Sequence, residues 1–120
     1  MLISEEEMKK AIVEALADDY AKRILDSTLL KAKSVPEIMR ECNVPMTSAY
    51  RRVKMLHDAG LLSVEKTITT EEGSKYELYR SSVREILVKY ARGEIEIDVT
   101  PNADAAGRMA DLFFSMKGEK

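Results

Sequence analysis

Several residue types that build chemical sites are scarce in this chain of 120 residues, which contains no tryptophan, one cysteine (Cys42) and one histidine (His57). A single cysteine excludes an intramolecular disulfide and fits a reducing compartment. One thiol and one imidazole are too few for the clustered ligands of a typical zinc site, so we expect no metal. No apolar run is long enough to span a bilayer, and the acidic start MLISEEEMKK is unlike a signal peptide. We therefore expect a cytoplasmic protein without a membrane partner.

Catalytic patterns are also missing. The five glycines are scattered singly, which excludes a glycine-rich phosphate loop, and no Ser/His/Asp set is apparent. The acid pairs Asp18-Asp19 and Glu71-Glu72 are typical of a helix cap and a turn. We therefore expect neither enzyme activity nor a cofactor.

What the chain does have is an uneven charge. The apolar share of 45% and the charged share of 33% are typical of a globular domain, and the net charge is −2. Residues 31–57 nevertheless carry six bases and two acids, whereas acids exceed bases by three on either side. Because salt screens beyond ~8 Å, local potential decides phosphate contact. The basic segment could also arise by chance.

Hydrophobic periodicity predicts four helices before Gly60. Ser4 to Glu7 has the form of a capping box at the start of the first helix, and Asp18 and Asp19 can cap the second. Ser34-Val35-Pro36-Glu37 is another capping box, followed by a short helix with an inner stripe of Val35, Ile38, Met39 and Cys42.

A turn must follow at Asn43-Val44-Pro45, because Pro45 disfavours helical geometry at Val44. The next helix runs from about Met46 to Ala59, and Gly60 suits a left-handed helix end. The apolar positions of this helix, predicted to face inward, are Ala49, Val53 and Leu56.

After Gly60 the period changes to that of strands. LLSVEKTIT and KYELYRS predict a hairpin with a turn at residues 70–74. A second hairpin should turn at Arg92-Gly93 and end in EIEIDV, whose apolar face must cover something. A last helix should follow Asn102, with one apolar side formed by Ala106, Met109, Ala110, Leu112, Phe113, Phe114 and Met116.

This order of elements resembles the ArsR-like winged helix-turn-helix regulators, particularly small archaeal ones. The resemblance covers roughly residues 16–81. Its matching segments are Leu16-Ala17-Asp18, Arg23-Ile24-Leu25, Ser34-Val35-Pro36-Glu37-Ile38, Tyr50-Arg51-Arg52-Val53, Leu56 and Ala59-Gly60-Leu61-Leu62.

The resemblance implies a winged helix-turn-helix, and the patterns after residue 81 add a C-terminal β-hairpin and a terminal helix, so we expect a fold of the α+β class, mainly α. We divide the chain into an N-terminal helix (1–17), the winged domain (18–81) and a hairpin with a terminal helix (82–120). The resemblance also implies a homodimer, formed through the terminal helices, that binds double-stranded DNA with a two-fold operator. The apolar side of the last helix could instead pack on the first helix.

The helix from Met46 to Ala59 would be the recognition helix, entering the major groove. Arg51, central on its outer face, is the first candidate for a base or phosphate, whereas Arg52 and Lys54 suit phosphates. A solvated charged face is the alternative. The residues expected to face DNA are Thr47, Ser48, Tyr50, Arg51, Arg52 and Lys54.

Five residues are open to a second interpretation. Tyr50 could bond a phosphate or cover the edge of the core. Cys42 should be a small buried apolar residue rather than a ligand or redox switch, and His57 a surface or DNA-flanking residue. Glu71 and Glu72 at the wing tip would repel phosphate, so we expect weak wing contacts or a protein partner there. The competing function is therefore a winged-helix protein-interaction module, such as a subunit of the transcription apparatus.

Overall fold

In a computed structural model, which describes residues 1–103, the chain forms four helices and five strands. The predicted terminal helix lies outside the described residues. Helices and strands take comparable shares of the described chain, so the fold is α+β and the expectation of a mainly α fold is not confirmed. The elements are β1 (Leu2–Ile3), α1 (Glu6–Leu16), α2 (Asp19–Ser27), α3 (Val35–Cys42), α4 (Met46–Asp58), β2 (Leu62–Thr69), β3 (Lys75–Ser81), β4 (Val83–Ala91) and β5 (Glu94–Pro101).

The helix starts show which local signals act. At α2 the Asp18 carboxylate accepts the N–H of Ala21 at 3.0 Å, and at α3 Ser34 and Glu37 form the predicted reciprocal capping box. The capping box predicted at Ser4 is wrong. α1 begins after Glu5, which makes no side-chain cap, because residues 2–3 are held in a strand.

The turn between α3 and α4 forms where Pro45 requires it. Asn43 ends α3 in the left-handed region with φ of 55°, and Gly60 follows α4 with φ of 81°. Ala49, Val53 and Leu56 are buried, as their spacing predicts. Cys42 is also buried, which confirms its apolar role, and its thiol donates to the carbonyl of Arg23 at a sulfur–oxygen distance of 3.6 Å.

The strands form two antiparallel sheets. β2 and β3 pair as one hairpin, and the loop before α3 joins its outer edge through two 2.8 Å hydrogen bonds between Lys33 and Tyr79. β4 and β5 form a second hairpin around Arg92 and Gly93, and β1 adds to β5 to give the order β1-β5-β4.

One hydrophobic core connects these layers. It takes Ile12 and Ile24 from the first two helices, Leu56 from α4, and Ile97 and Val99 from β5, all fully buried. The apolar face of EIEIDV therefore covers the helices, as its alternation predicts. The core draws on residues from Ile3 to Val99, so the described segments share one interior.

A buried polar seam joins the two hairpins. The hydroxyls of Ser63 and Ser82 are hydrogen-bonded to each other, and the Ser81 hydroxyl donates to the carbonyl of Val83 at 2.8 Å. The Asn102 amide donates to the carbonyls of Leu29 (2.9 Å) and Ser81 (3.0 Å). No buried side-chain polar atom in residues 1–103 lacks a partner, so the seam fixes how the hairpins leave the core.

Candidate nucleic-acid interface

The outer face of α4 carries one continuous exposed stripe. Thr47, Tyr50, Arg51 and Lys54 follow one another at i, i+3, i+4 and i+7, and all four are exposed. This spacing puts them on one side of the helix, opposite Ala49, Val53 and Leu56. Ser48 lies on the flank and is half-buried. Burial of the inner face thus determines which polar residues face outward.

Arg51 is the central cation of this stripe. Within residues 1–103, no carboxylate forms an ion pair with its guanidinium. It lies beside a shallow depression that is lined by Asp18, Arg52 and Met55. Arg51 is therefore the residue of α4 with a charge left to offer a ligand.

Arg52, in contrast, is engaged inside the protein. Its Nη2 lies 2.8 Å and its Nε 3.0 Å from Oδ2 of Asp18, and its guanidinium lies 5.4 Å from the ring centroid of Tyr20. Desolvation alone would raise the pKa of Asp18, but the hydrogen bonds from Arg52 and the Ala21 N–H outweigh it and lower that pKa. The pair ties the middle of α4 to the start of α2. Arg52 thus lies beside the exposed stripe rather than in it.

Lys54 has a partner within its own helix. Its ammonium lies 2.9 Å from the Asp58 carboxylate one turn later, and this hydrogen bond lowers the pKa of Asp58. Both side chains are exposed, so water and salt compete with the pair. Lys54 can therefore exchange Asp58 for another anion.

His57 is less accessible than expected for a surface residue. Its ring meets Tyr79 of β3 edge-on, with centroids 6.2 Å apart, and its Nδ1 lies 3.7 Å from Asp58. Desolvation and the carboxylate of Glu77 raise the pKa of Tyr79 to about 12. These contacts pack the end of α4 against the first hairpin.

A cleft separates the exposed stripe from the first hairpin. Tyr50 forms one wall, Tyr76 of β3 forms another, and Arg40 of α3 lies at the same cleft. Tyr50 is 52% exposed and Tyr76 is 44% exposed, so both phenol rings offer surface to a ligand. Tyr50 thus does not cover the core. The sequence signal for Tyr76 was only its place in an alternating strand, and Arg40 gave no signal beyond its charge.

The wing tip matches its sequence. Residues 70–74 close the hairpin, with Glu71 and Glu72 exposed and Gly73 at φ of 91°. An acidic tip repels phosphate, so the tip itself is poorly suited to contact a nucleic acid.

In residues 1–103, no group of three or more histidine, cysteine or acidic residues is placed to hold a metal ion. No helix in the same part of the chain is both long and apolar enough to cross a membrane.

The order of α2, α3, α4 and the first hairpin is that of a winged helix-turn-helix. No protein-family model matches the chain, and no characterised protein sequence matches it. Among solved structures, it is similar to a homodimeric winged helix-turn-helix DNA-binding domain from Mycobacterium bovis, described as a possible ArsR-family transcriptional regulator. The identity is 20% and the TM-score is 0.49; the match covers 62% of this chain and 64% of that one, so it spans less than two thirds of the length of either.

Proposed function

We propose that the protein is a DNA-binding transcriptional regulator of the ArsR-like type that acts as a homodimer and presents α4 to the major groove. The observation that carries the proposal is the exposed stripe of Thr47, Tyr50, Arg51 and Lys54 on the second helix of a helix-turn-helix. Short hydroxyls near a helix N-terminus suit phosphate, and a guanidinium suits the O6 and N7 atoms of guanine.

The proposal gives the six candidate residues different parts. Arg51 contacts a base or a phosphate, and Lys54 leaves Asp58 to contact a phosphate. The DNA backbone is bound at the start of the helix and along the cleft by Thr47, Ser48 and Tyr50. Arg52 contacts phosphate only from the edge of the surface, because Asp18 shares its guanidinium.

The experiment measures binding of a fluorescein-labelled pool of random duplexes by anisotropy at several salt concentrations. Affinity should fall as salt rises, with a log–log slope of roughly −0.9 for each neutralised phosphate. Arg51→Ala should lower the affinity about tenfold or more. Lys10→Ala, which removes an exposed charge from α1, is the matched control and should bind like the unchanged protein.

Circular dichroism establishes that both variants fold. An Arg51→Ala protein that is folded and binds with unchanged affinity contradicts the placement of Arg51. Binding that does not depend on salt contradicts the DNA proposal as a whole.

One observation favours a second candidate, a protein-interaction module. Two of the three α4 cations have carboxylate partners, and exposed apolar surface lies close by: Met46 is 60% exposed and both phenol rings of the cleft are open. A partner protein would use this apolar surface and tolerate the acidic wing tip. In that case Arg51→Ala has little effect, whereas Tyr76→Ala abolishes the interaction.

A further inference from the structure

The outer edge of β4 is an unused surface for strand pairing. β4 is the last strand in the order β1-β5-β4, so one side of its backbone has no strand partner within residues 1–103. Leu87 is 57% exposed, Val88 45% and Tyr90 71%. A nine-residue edge strand with exposed apolar side chains invites another strand.

The pairing of β4 with β5 determines which residues of β4 point their N–H and C=O groups outward at this edge. The N–H of Val99 donates to the carbonyl of Met1, the residue before β1, at 2.7 Å, so it points away from β4. Ile86, which lies opposite Val99, must therefore turn its own N–H and C=O away from β5. By the alternation of an antiparallel pair, Val88 and Tyr90 do the same. Three successive donor–acceptor sets are thus presented outward.

Symmetry limits how a second copy can add to this edge. Two identical antiparallel strands in one sheet are related by a two-fold axis perpendicular to the sheet, so one residue lies opposite its own copy. With the axis at Leu87, Glu85 lies opposite Lys89, and Ile86 lies opposite Val88. Arg84 then lies opposite Tyr90, an arrangement that suits a cation over an aromatic ring.

Neighbouring registers lose this complementarity. An axis at Ile86 puts Glu85 opposite Leu87, and an axis at Val88 puts Leu87 opposite Lys89. Both put a charge opposite an apolar side chain, with no opposite charge across from it. The charges that would discourage a foreign strand thus select one register for a second copy.

We propose that two copies of the chain pair through β4, antiparallel about Leu87, and form one continuous six-stranded sheet. The functional meaning of this interface rests on the proposed dimeric regulator. The interface differs from the terminal helices that the resemblance implies. In this register Ile86 and Val88 exchange backbone hydrogen bonds across the axis, and the two Leu87 side chains form a close pair without such bonds.

Cysteine cross-linking tests the register directly. In a pair of this kind the Cα atoms lie ~4.5 Å apart, within the ~4.4–6.8 Å range of disulfides. Leu87→Cys in the full chain should therefore form a covalent dimer under mild oxidation. Ala91→Cys is the matched control, because Ala91 is exposed, takes no part in the Glu85–Lys89 pairs and lies eight residues from its own copy along the strands, ~26 Å. The unchanged protein controls for Cys42, which is buried.

Non-reducing electrophoresis should show a dimer band for Leu87→Cys and none for Ala91→Cys. Equal cross-linking of both variants, or cross-linking of neither, overturns the proposal.

A second measurement needs no disulfide. Leu87→Lys puts two ammonium groups face to face across the axis, so the dimer dissociation constant from sedimentation equilibrium should rise at least about tenfold. Thr67→Lys adds the same group to the exposed face of β2 and should leave the dissociation constant unchanged. A Leu87→Lys protein that stays dimeric overturns the interface.

Both measurements are made without DNA, which separates the two proposals. A cross-linked dimer that fails to bind duplexes contradicts the regulator but not the interface. A protein that binds duplexes and ignores changes at Leu87 contradicts the interface but not the regulator.

Discussion

The two hairpins are both antiparallel and have strands of similar length, yet they meet the rest of the protein in opposite ways. The first hairpin, β2–β3, is buried only at its base, at Leu62, Ser63 and Ser81, and is mostly polar beyond it. The second hairpin, β4–β5, contributes Ile97 and Val99 to the core and leaves apolar side chains exposed on its edge. The first hairpin is therefore suited to project into water beside a ligand. The second hairpin is suited to pack against the core on one face and to bind another strand at its exposed edge.

The largest effect is expected from a substitution that leaves a cavity in the core under the second hairpin. Ile97→Ala removes a fully buried side chain where β5 meets β1 and the helices, and it should lower the free energy of unfolding by about 2–5 kcal/mol. Ile68→Ala in β2 should cost about 1 kcal/mol or less, because that side chain is only half-buried. Urea unfolding followed by circular dichroism measures both. Equal losses would remove the distinction between the hairpins.

A second test compares the ion pairs of the two hairpins. Arg80 of β3 donates to the carbonyl of Leu29 at 3.2 Å and to Glu65 at 3.0 Å, with its side chain only 12% exposed. Arg80→Ala should therefore lower the free energy of unfolding by about 1.5–3 kcal/mol. Lys89→Ala should cost only about 0–1 kcal/mol, because its 3.9 Å pair with Glu96 is exposed. The same urea titration checks the order, and a larger loss from Lys89→Ala would contradict it.

The turns provide a smaller effect. Arg92 adopts φ of 56° and Gly93 φ of 78°, a pair of conformations that asparagine followed by glycine fills best. Arg92→Asn should therefore raise the free energy of unfolding by about 0.5 kcal/mol, since it relieves part of the cost of a left-handed residue. Gly73→Ala in the first hairpin should lower it by about 1 kcal/mol, although its added methyl group meets open space. Thermal unfolding compares the variants, and an unchanged Gly73→Ala protein would show that the wing turn can relax.

The smallest expected effect concerns charge at the two tips. Glu71→Gln with Glu72→Gln should raise the affinity for duplex DNA about threefold at low salt, because an acidic wing near phosphate repels it. Glu94→Gln, beside the second turn, should leave the affinity unchanged. Anisotropy titrations at low and high salt measure the difference. A wing whose charge does not matter would lie away from the duplex.

Much of the fold follows from local signals in the sequence. Asp18, Ser34, Pro45 and Gly60 each fix a helix end through their own backbone or side-chain chemistry, and the structure has each end where that chemistry requires it. β1 gave no such signal, since two residues are too few for a period. Its formation depends on β5, almost a hundred residues later, and this distant pairing displaces the cap expected at Ser4.

The candidate site was predictable in its position but not in its charge. The spacing of Ala49, Val53 and Leu56 is enough to indicate which side of α4 faces outward. The same spacing cannot show that Asp18, which precedes α2, reaches Arg52 across 34 positions of sequence. A carboxylate counted as a helix cap therefore also neutralises a cation of the expected recognition face, and only the folded arrangement reveals this second role.

The buried polar seam holds the two hairpins at a fixed angle where they join. Its residues are Ser63, Ser81, Ser82 and Asn102. Rotating either hairpin would break these hydrogen bonds, and water cannot reach the buried seam to replace them. Each buried hydroxyl or amide left without a partner would lower the stability by about 1–3 kcal/mol. A partner that tilts β4 would therefore tilt β2 with it, because the two hairpins move as one unit. Binding at one hairpin thus also sets the direction in which the other hairpin points.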